Sequence, residues 1–384
     1  MSEEETENQI PDPSELTTRG FACASIAFAM MAFTSTCWGS MLPWIAERSG
    51  LSISKSGLIL AGFTLHTLGG TLLVQIFGPR RDLIWFIQRG IEIAIIGFIG
   101  VVTLENTFLL MISGCFAGLG YGVTGVSLLQ LLTRSSNANH VRMNLASAAT
   151  GFAALAAPFL IGTIGSSKIP LIVISAIGSS FIATRFLTGA KWRVKKFKLS
   201  LQTRENRIRL SIILLAVIFY SGLENSIGVW LPTIISKSQG TLEAGALSSA
   251  FFYLFFSIGR FIGVFLAKFM EPHSMILICI LASLIPFAFA IFSQNHTSLG
   301  LAICGLFLGP IFPNSSSWIA RKTPGFPLAT TALMLAIMIG SFLFPPLIGF
   351  VLDSWGTTGY LYSLAVLLIL AASSFSYSYV KWRK

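Results

Sequence analysis

Tyr220-Ser-Gly-Leu-Glu-Asn-Ser-Ile-Gly-Val-Trp-Leu-Pro232 lies in the middle of an otherwise apolar run and decides how the chain is read. It sets Glu224 and Asn225 deep in that run, with Tyr220 and Trp230 on either side. An ionised group in hydrocarbon costs several kcal/mol, so this carboxylate must be paired, protonated or turned towards water. It is either a neutral Glu satisfied by a neighbouring helix or part of a substrate or ion site. The second reading is carried forward.

The surrounding composition says what kind of run this is. Of 384 residues, 54% are hydrophobic and only 11% charged, and the mean hydropathy is +0.77. A soluble protein of this length needs far more charge to cover its surface, so the sequence reads as a polytopic membrane protein. The net charge of +11 would suggest nucleic acid in a soluble chain. Here its location matters more, and no nucleic-acid partner is expected. Cys23, Cys37, Cys115, Cys279 and Cys304 all lie in apolar runs without a CxxC pair, which argues against disulfides and a zinc site. Residues 1–19 form a polar, acidic tail, the opposite of a basic signal-peptide start.

Runs long enough to cross a hydrocarbon core of about 30 Å fall at 20–45, 55–77, 83–104, 108–132, 145–165 and 169–188. A second set falls at 210–236, 243–268, 274–293, 299–320, 328–352 and 357–380. The sequence therefore predicts an all-α membrane protein with twelve transmembrane helices. Its domains are a tail at 1–19, six-helix bundles at 20–188 and 210–380, a linker at 189–209 and a basic tail at 381–384. The linker carries eight Lys/Arg and one Glu. With both termini cytoplasmic, the inner segments hold nineteen Lys/Arg and the outer ones hold Arg48, Lys55, Lys168 and Lys237. That asymmetry sets the orientation.

The two sets repeat one another. Gly39 and Pro43 correspond to Gly228 and Pro232 at an offset of 189. Gly118 and Gly122 correspond to Gly305 and Gly309, and Pro158 to Pro345, at an offset of 187. Parallel repeats of this kind place a substrate cavity between the halves near the bilayer midplane.

Twelve helices in a six-plus-six duplication with a basic central loop resemble the major facilitator superfamily. Within it, Gly222-Leu-Glu-Asn-Ser-Ile-Gly-Val-Trp-Leu231, Gly259-Arg-Phe-Ile-Gly263 and Gly309-Pro-Ile-Phe-Pro313 look like the fucose–proton symporter family and its bacterial relatives. The resemblance implies the major facilitator fold, with Glu224 opening onto the central cavity as an anchor for substrate hydroxyls and as a proton carrier. The chain departs from the pattern in two places. The loop Phe77-Gly-Pro-Arg-Arg-Asp82 is a shortened, scrambled version of the superfamily's inner-gate signature. Helices 1 and 4 also offer hydroxyls and amides where sugar–proton relatives carry acids.

The expected substrate-binding residues are Glu224, Asn225, Trp230, Tyr220, Trp38, Tyr121, Gln130 and Asn314. Coupling or gating is expected from Glu224, His66 and Arg260. Tyr220 and Trp230 could stack on an apolar sugar face or simply pack in the core. His66 suits a proton relay because imidazole titrates near neutral pH, although a lone helical His is commonly just hydrogen-bonded. Arg260 stands roughly 8–10 Å lower than Glu224 by helical rise, so a direct salt bridge would be strained, and snorkelling is the alternative. Arg89 and Glu92, spaced i,i+3, read as a structural pair. Gly114, Gly118 and Gly122 offer a face for close helix approach. The run Asn314-Ser-Ser-Ser317 could line the cavity or its inner mouth.

The chain is expected to be a secondary transporter of a small polar organic solute, a sugar or similar metabolite, working by alternating access with proton coupling. Its abundant Phe and Met support an alternative, efflux of amphipathic compounds or drugs. A non-transporting receptor on the same fold is a third reading, which ligand-driven flux in reconstituted protein would exclude. No enzyme, cofactor or metal is expected: metal clusters, Ser–His or Cys–His pairings and a phosphate-binding loop are all missing from the pattern. The expected partners are the substrate, protons and the lipid bilayer, in a monomer of the bacterial inner (plasma) membrane.

Overall fold

In the computed structural model, which describes residues 16–78, 81–134, 140–187, 204–293, 296–322 and 328–382, the regular elements among the described residues are all helical. In chain order they are α1 (Thr18–Ser49), α2 (Ile53–Phe77), α3 (Leu83–Thr103), α4 (Thr107–Arg134), α5 (His140–Ile164) and α6 (Ile169–Arg185). Then come α7 (Arg204–Gln239), α8 (Leu242–Leu266), α9 (Pro272–Ala282), α10 (Leu284–Phe292), α11 (Thr297–Leu308), α12 (Ile311–Lys322) and α13 (Leu328–Trp382). Among the described residues, ten helical stretches are long and apolar enough to cross a membrane. Large apolar side chains such as Phe261, Phe269 and Phe292 stand at least three-quarters exposed, as lipid contact requires. The chain is a multi-pass integral membrane protein.

Local chemistry sets the helix ends. Ser52, Asp82 and Thr241 cap α2, α3 and α8, each side-chain oxygen accepting an amide of the first turn. Gly50 closes α1 at φ 63°, a left-handed conformation that a side chain would strain. Ser283 separates α9 from α10, and Gly309-Pro310 separates α11 from α12. Gly356, at φ 63° and ψ −158°, bends the 55-residue α13. α7 begins at Arg204, so residues 204–209, expected as linker, are helical. The acidic tail (1–15), the rest of the linker (188–203), Pro79-Arg80 and Arg383-Lys384 lie outside the described residues.

Packing in the first six helices is mirrored in the rest. A Cβ on Gly118 or Gly122 of α4 would strike the backbone carbonyl of Phe63 or Thr67 on α2. At the matching positions, Gly305 of α11 and Gly309 meet the carbonyls of Phe252 and Phe256 on α8. In the same way Gly70 abuts the Leu119 carbonyl, and Gly259 the Leu306 carbonyl. Small residues let these backbones touch, where dispersion acts at full strength.

The two sets of helices meet through α1 with α7, α2 with α13, and α5 with α8. The C-terminal ends of α1 (Pro43, Ala46, Glu47) and α7 (Thr233, Ser236, Lys237) line one cavity of about 610 Å³. The two helices therefore run parallel and finish at the same face. Just inside that face the seam is shut. Gly39 of α1 rests on the carbonyl of Gly228, and Gly57 of α2 rests on the ring of Trp230. The Ser166 amide donates to Glu243 Oε1 at 2.9 Å.

Candidate functional site

The Gly39–Gly228 contact fixes where the site begins. Moving one helical turn back along each helix reaches Ser35 on α1 and Glu224 on α7, level with one another because the helices are parallel. Exposure changes at that level. Trp38, Ile227, Trp230 and Leu231 are essentially inaccessible, whereas Ser35, Thr36, Glu224 and Asn225 are partly exposed. These four residues form a partly exposed polar level at mid-helix, directly beneath the sealed seam.

Around Glu224 the helices gather a polar cluster. Tyr220, one turn away on α7, is within electrostatic reach of Glu224 and donates to the Leu308 carbonyl at 3.1 Å. That carbonyl lies at the end of α11, where the Gly309-Pro310 break interrupts the helical ladder. Arg260 of α8 is within electrostatic reach of Glu224, and its guanidinium stacks on Phe256 at 4.5 Å. Its Nε is buried without a hydrogen-bond partner. A direct Glu224–Arg260 salt bridge is not among the ion pairs of the described residues, which include Arg89–Glu92, Arg185–Glu92 and Arg321–Glu271. The Arg89–Glu92 pair forms as a structural element, joined by Arg185 from α6. From the other side, Tyr121 of α4 stands beside Ser35 and packs on Phe63 with centroids 5.3 Å apart. Asn225 is partly exposed, but its amide bonds back to the Ser221 carbonyl at 2.9 Å.

Several expected residues sit elsewhere. Trp230 is fully buried; its indole N–H donates to the Pro345 carbonyl at 2.7 Å, and its ring fills a cleft between Gly57 and Gly349. Trp38 is 1% exposed and packs on Phe63 and Phe98, its Nε1 without a hydrogen-bond partner. These two tryptophans wall the closed seam and the core. Gln130 is buried low on α4. Asn314 donates to the Pro310 carbonyl at 2.7 Å, and Ser315 and Ser317 bond back in the same way, so the polar run of α12 satisfies its own backbone. His66 Nδ1 lies 2.8 Å from the Gly62 carbonyl, a bond within α2. Asp82 caps α3, while its neighbours Pro79 and Arg80 lie outside the described residues.

The residue missed by sequence reasoning is Tyr253 of α8. It is partly exposed, its hydroxyl sits against Gly228, and it is electrostatically linked to Glu224, Arg260 and Tyr121. The available signal was a lone hydroxyl in Phe251-Phe-Tyr-Leu-Phe-Phe256.

A family model described as Major Facilitator Superfamily matches residues 212–381. Major facilitator superfamily domain-containing protein 4A of Xenopus tropicalis is 30% identical over 145 residues, covering 37% of this chain and 28% of the relative. Sodium-dependent glucose transporter 1A of Mus musculus is 24% identical over 152 residues, or 38% of this chain and 36% of the relative. The matched part thus spans well under half of either curated protein. Among solved structures, the E. coli fucose:proton symporter FucP aligns with a TM-score of 0.63 at 16% identity, covering 94% of this chain and 98% of that one. The family model thus matches the stretch from α7 to α13, and the helical fold is shared along nearly the whole chain.

Proposed function

We propose that the protein is a secondary transporter that moves a small polar organic solute, a sugar or similar metabolite, by alternating access, with Glu224 as the coupling carboxylate. Twelve spans in two six-helix halves, 20–188 and 210–380, with both termini cytoplasmic, give the cavity two sides that can rock. The paired glycine contacts at matching positions support the duplication. The observation that carries the reading is a partly exposed carboxylate at mid-helix beneath a closed seam, ringed by Tyr220, Tyr253 and Arg260. One acid facing one guanidinium leaves the site close to neutral, which suits an uncharged, hydroxyl-bearing solute. The sugars named for the relatives above fit that chemistry. The curated relatives come from vertebrates and lend no support to a bacterial inner membrane.

Efflux of amphipathic compounds is the second reading, favoured by the aromatic surface beside the site, where Phe344 packs on Phe219 and Gly222. Counterflow in proteoliposomes separates the two. Exchange of labelled sugar, competed by other sugars, supports the first reading. Dye efflux competed by apolar drugs, with no sugar exchange, supports the second and removes the first.

A further inference from the structure

We infer that Tyr253, acting across the seam from Tyr121, is the residue that selects hydroxyl-bearing solutes in the cavity beside Glu224. The inference rests on the transport reading above and assigns the specificity of that site.

Its first support is position. Tyr253 lies near the middle of α8, and a Cβ built on Gly228 would meet three atoms of the Tyr253 side chain before any other, the hydroxyl nearest. Gly228 and Glu224 are one turn apart on the same face of α7, roughly 6 Å along the axis. The phenol therefore hangs over the α7 face between the closed seam and the carboxylate. The glycine leaves exactly the room that the hydroxyl occupies, so α7 is shaped around this side chain.

The second support is the state of the hydroxyl. Tyr220, the neighbouring phenol, is fully buried and gives its proton to a backbone carbonyl. Tyr253 is partly exposed and makes no hydrogen bond to protein among the described residues. A partly exposed phenolic O–H that bonds to no protein group is open to an outside partner, as donor and as acceptor. A solute hydroxyl or ring oxygen supplies it.

The third support is the opposite wall. Tyr121 is also partly exposed and stands beside Ser35, one turn from Gly39 on the α1 face that meets α7. Tyr121 and Tyr253 thus approach the same space from the two sets of helices, close enough to interact electrostatically. A solute bonded to both phenols would link the halves. It must then present hydrogen-bonding groups on two opposite edges, which a polyol ring does and an amphipathic drug with a single polar end does not.

The test uses the full chain in proteoliposomes, with counterflow of labelled D-glucose and L-fucose as the readout. Y253F keeps the ring and removes only the hydroxyl. G228A leaves Tyr253 intact but pushes a methyl group into the hydroxyl's place. Each single variant is expected to raise the KM for exchange roughly 5- to 10-fold, the usual worth of one hydrogen bond to a ligand. The double variant is expected to be no worse than Y253F, because the atom that the methyl displaces has gone. Unchanged KM in Y253F, or fully multiplicative losses in the double variant, would overturn the assignment while leaving transport standing. Failure of the unmutated protein to exchange either sugar would instead remove the transport reading and this inference with it.

Discussion

Gly39→Ala perturbs the seam at its tightest point. The new methyl group would collide with the Gly228 carbonyl, and Pro232 lies 3.3 Å from the same position. The obstructing atom is backbone, so it cannot swing aside as a side chain would. Overpacking of this kind costs about 1–3 kcal/mol. The cost falls on the closed seam and is relieved when α1 and α7 part, so the equilibrium should move towards the open seam by roughly 5- to 150-fold. A thiol introduced by Ser35→Cys, one turn beneath the seam, reports the opening through its labelling rate with a membrane-impermeant maleimide added from the sealed side. The five native cysteines are replaced by alanine beforehand. Gly178→Ala is the control, since nothing lies within 4 Å of a Cβ there. Faster labelling in Gly39→Ala with no change in Gly178→Ala is the expected result. Equal rates in both would show that the Gly39–Gly228 contact does not hold the seam closed.

Glu224→Gln should preserve folding and sugar exchange but lose accumulation driven by a proton gradient, as measured by uptake in energised vesicles. Arg48 donates to the carbonyls of Val101, Val102 and Leu104 at the end of α3 and stacks on Trp44 at 4.3 Å. Arg48→Met should therefore cost about 1–3 kcal/mol of stability, seen as a lower melting temperature in detergent. Trp230→Phe removes the indole's hydrogen bond to the Pro345 carbonyl and should also melt earlier, yet leave the KM for sugar unchanged, because the indole is buried in the seam wall.

Much of the fold could be read from the sequence because hydrocarbon imposes simple rules. Apolar runs of spanning length mark helices, and Glu224 stands out because a carboxylate there needs a reason. The glycine and proline offsets between the halves were also legible, since backbone contact between helices tolerates only small residues. Side-chain direction was not legible. Trp230 and Tyr253 are both aromatics near Glu224, and what separates them is the shape of the partner. Gly57 and Gly349 open a cleft that swallows the indole, while Gly228 leaves room for a phenol that stays partly exposed. Those glycines lie far apart in the chain, so periodicity within one helix cannot reveal them. The polar run after Pro313 misled for a related reason: Asn314, Ser315 and Ser317 bond to carbonyls one turn back and need no cavity.

The measurement that bears most directly on the account is uptake and counterflow of labelled D-glucose and L-fucose by reconstituted protein, with and without an inward proton gradient, compared with Glu224→Gln. The account predicts sugar exchange in both proteins and gradient-driven accumulation only with Glu224 intact. Accumulation by the Glu224→Gln protein equal to that of the unmutated one would contradict the coupling role. The absence of any sugar exchange, with dye efflux competed by apolar drugs, would contradict the sugar reading itself.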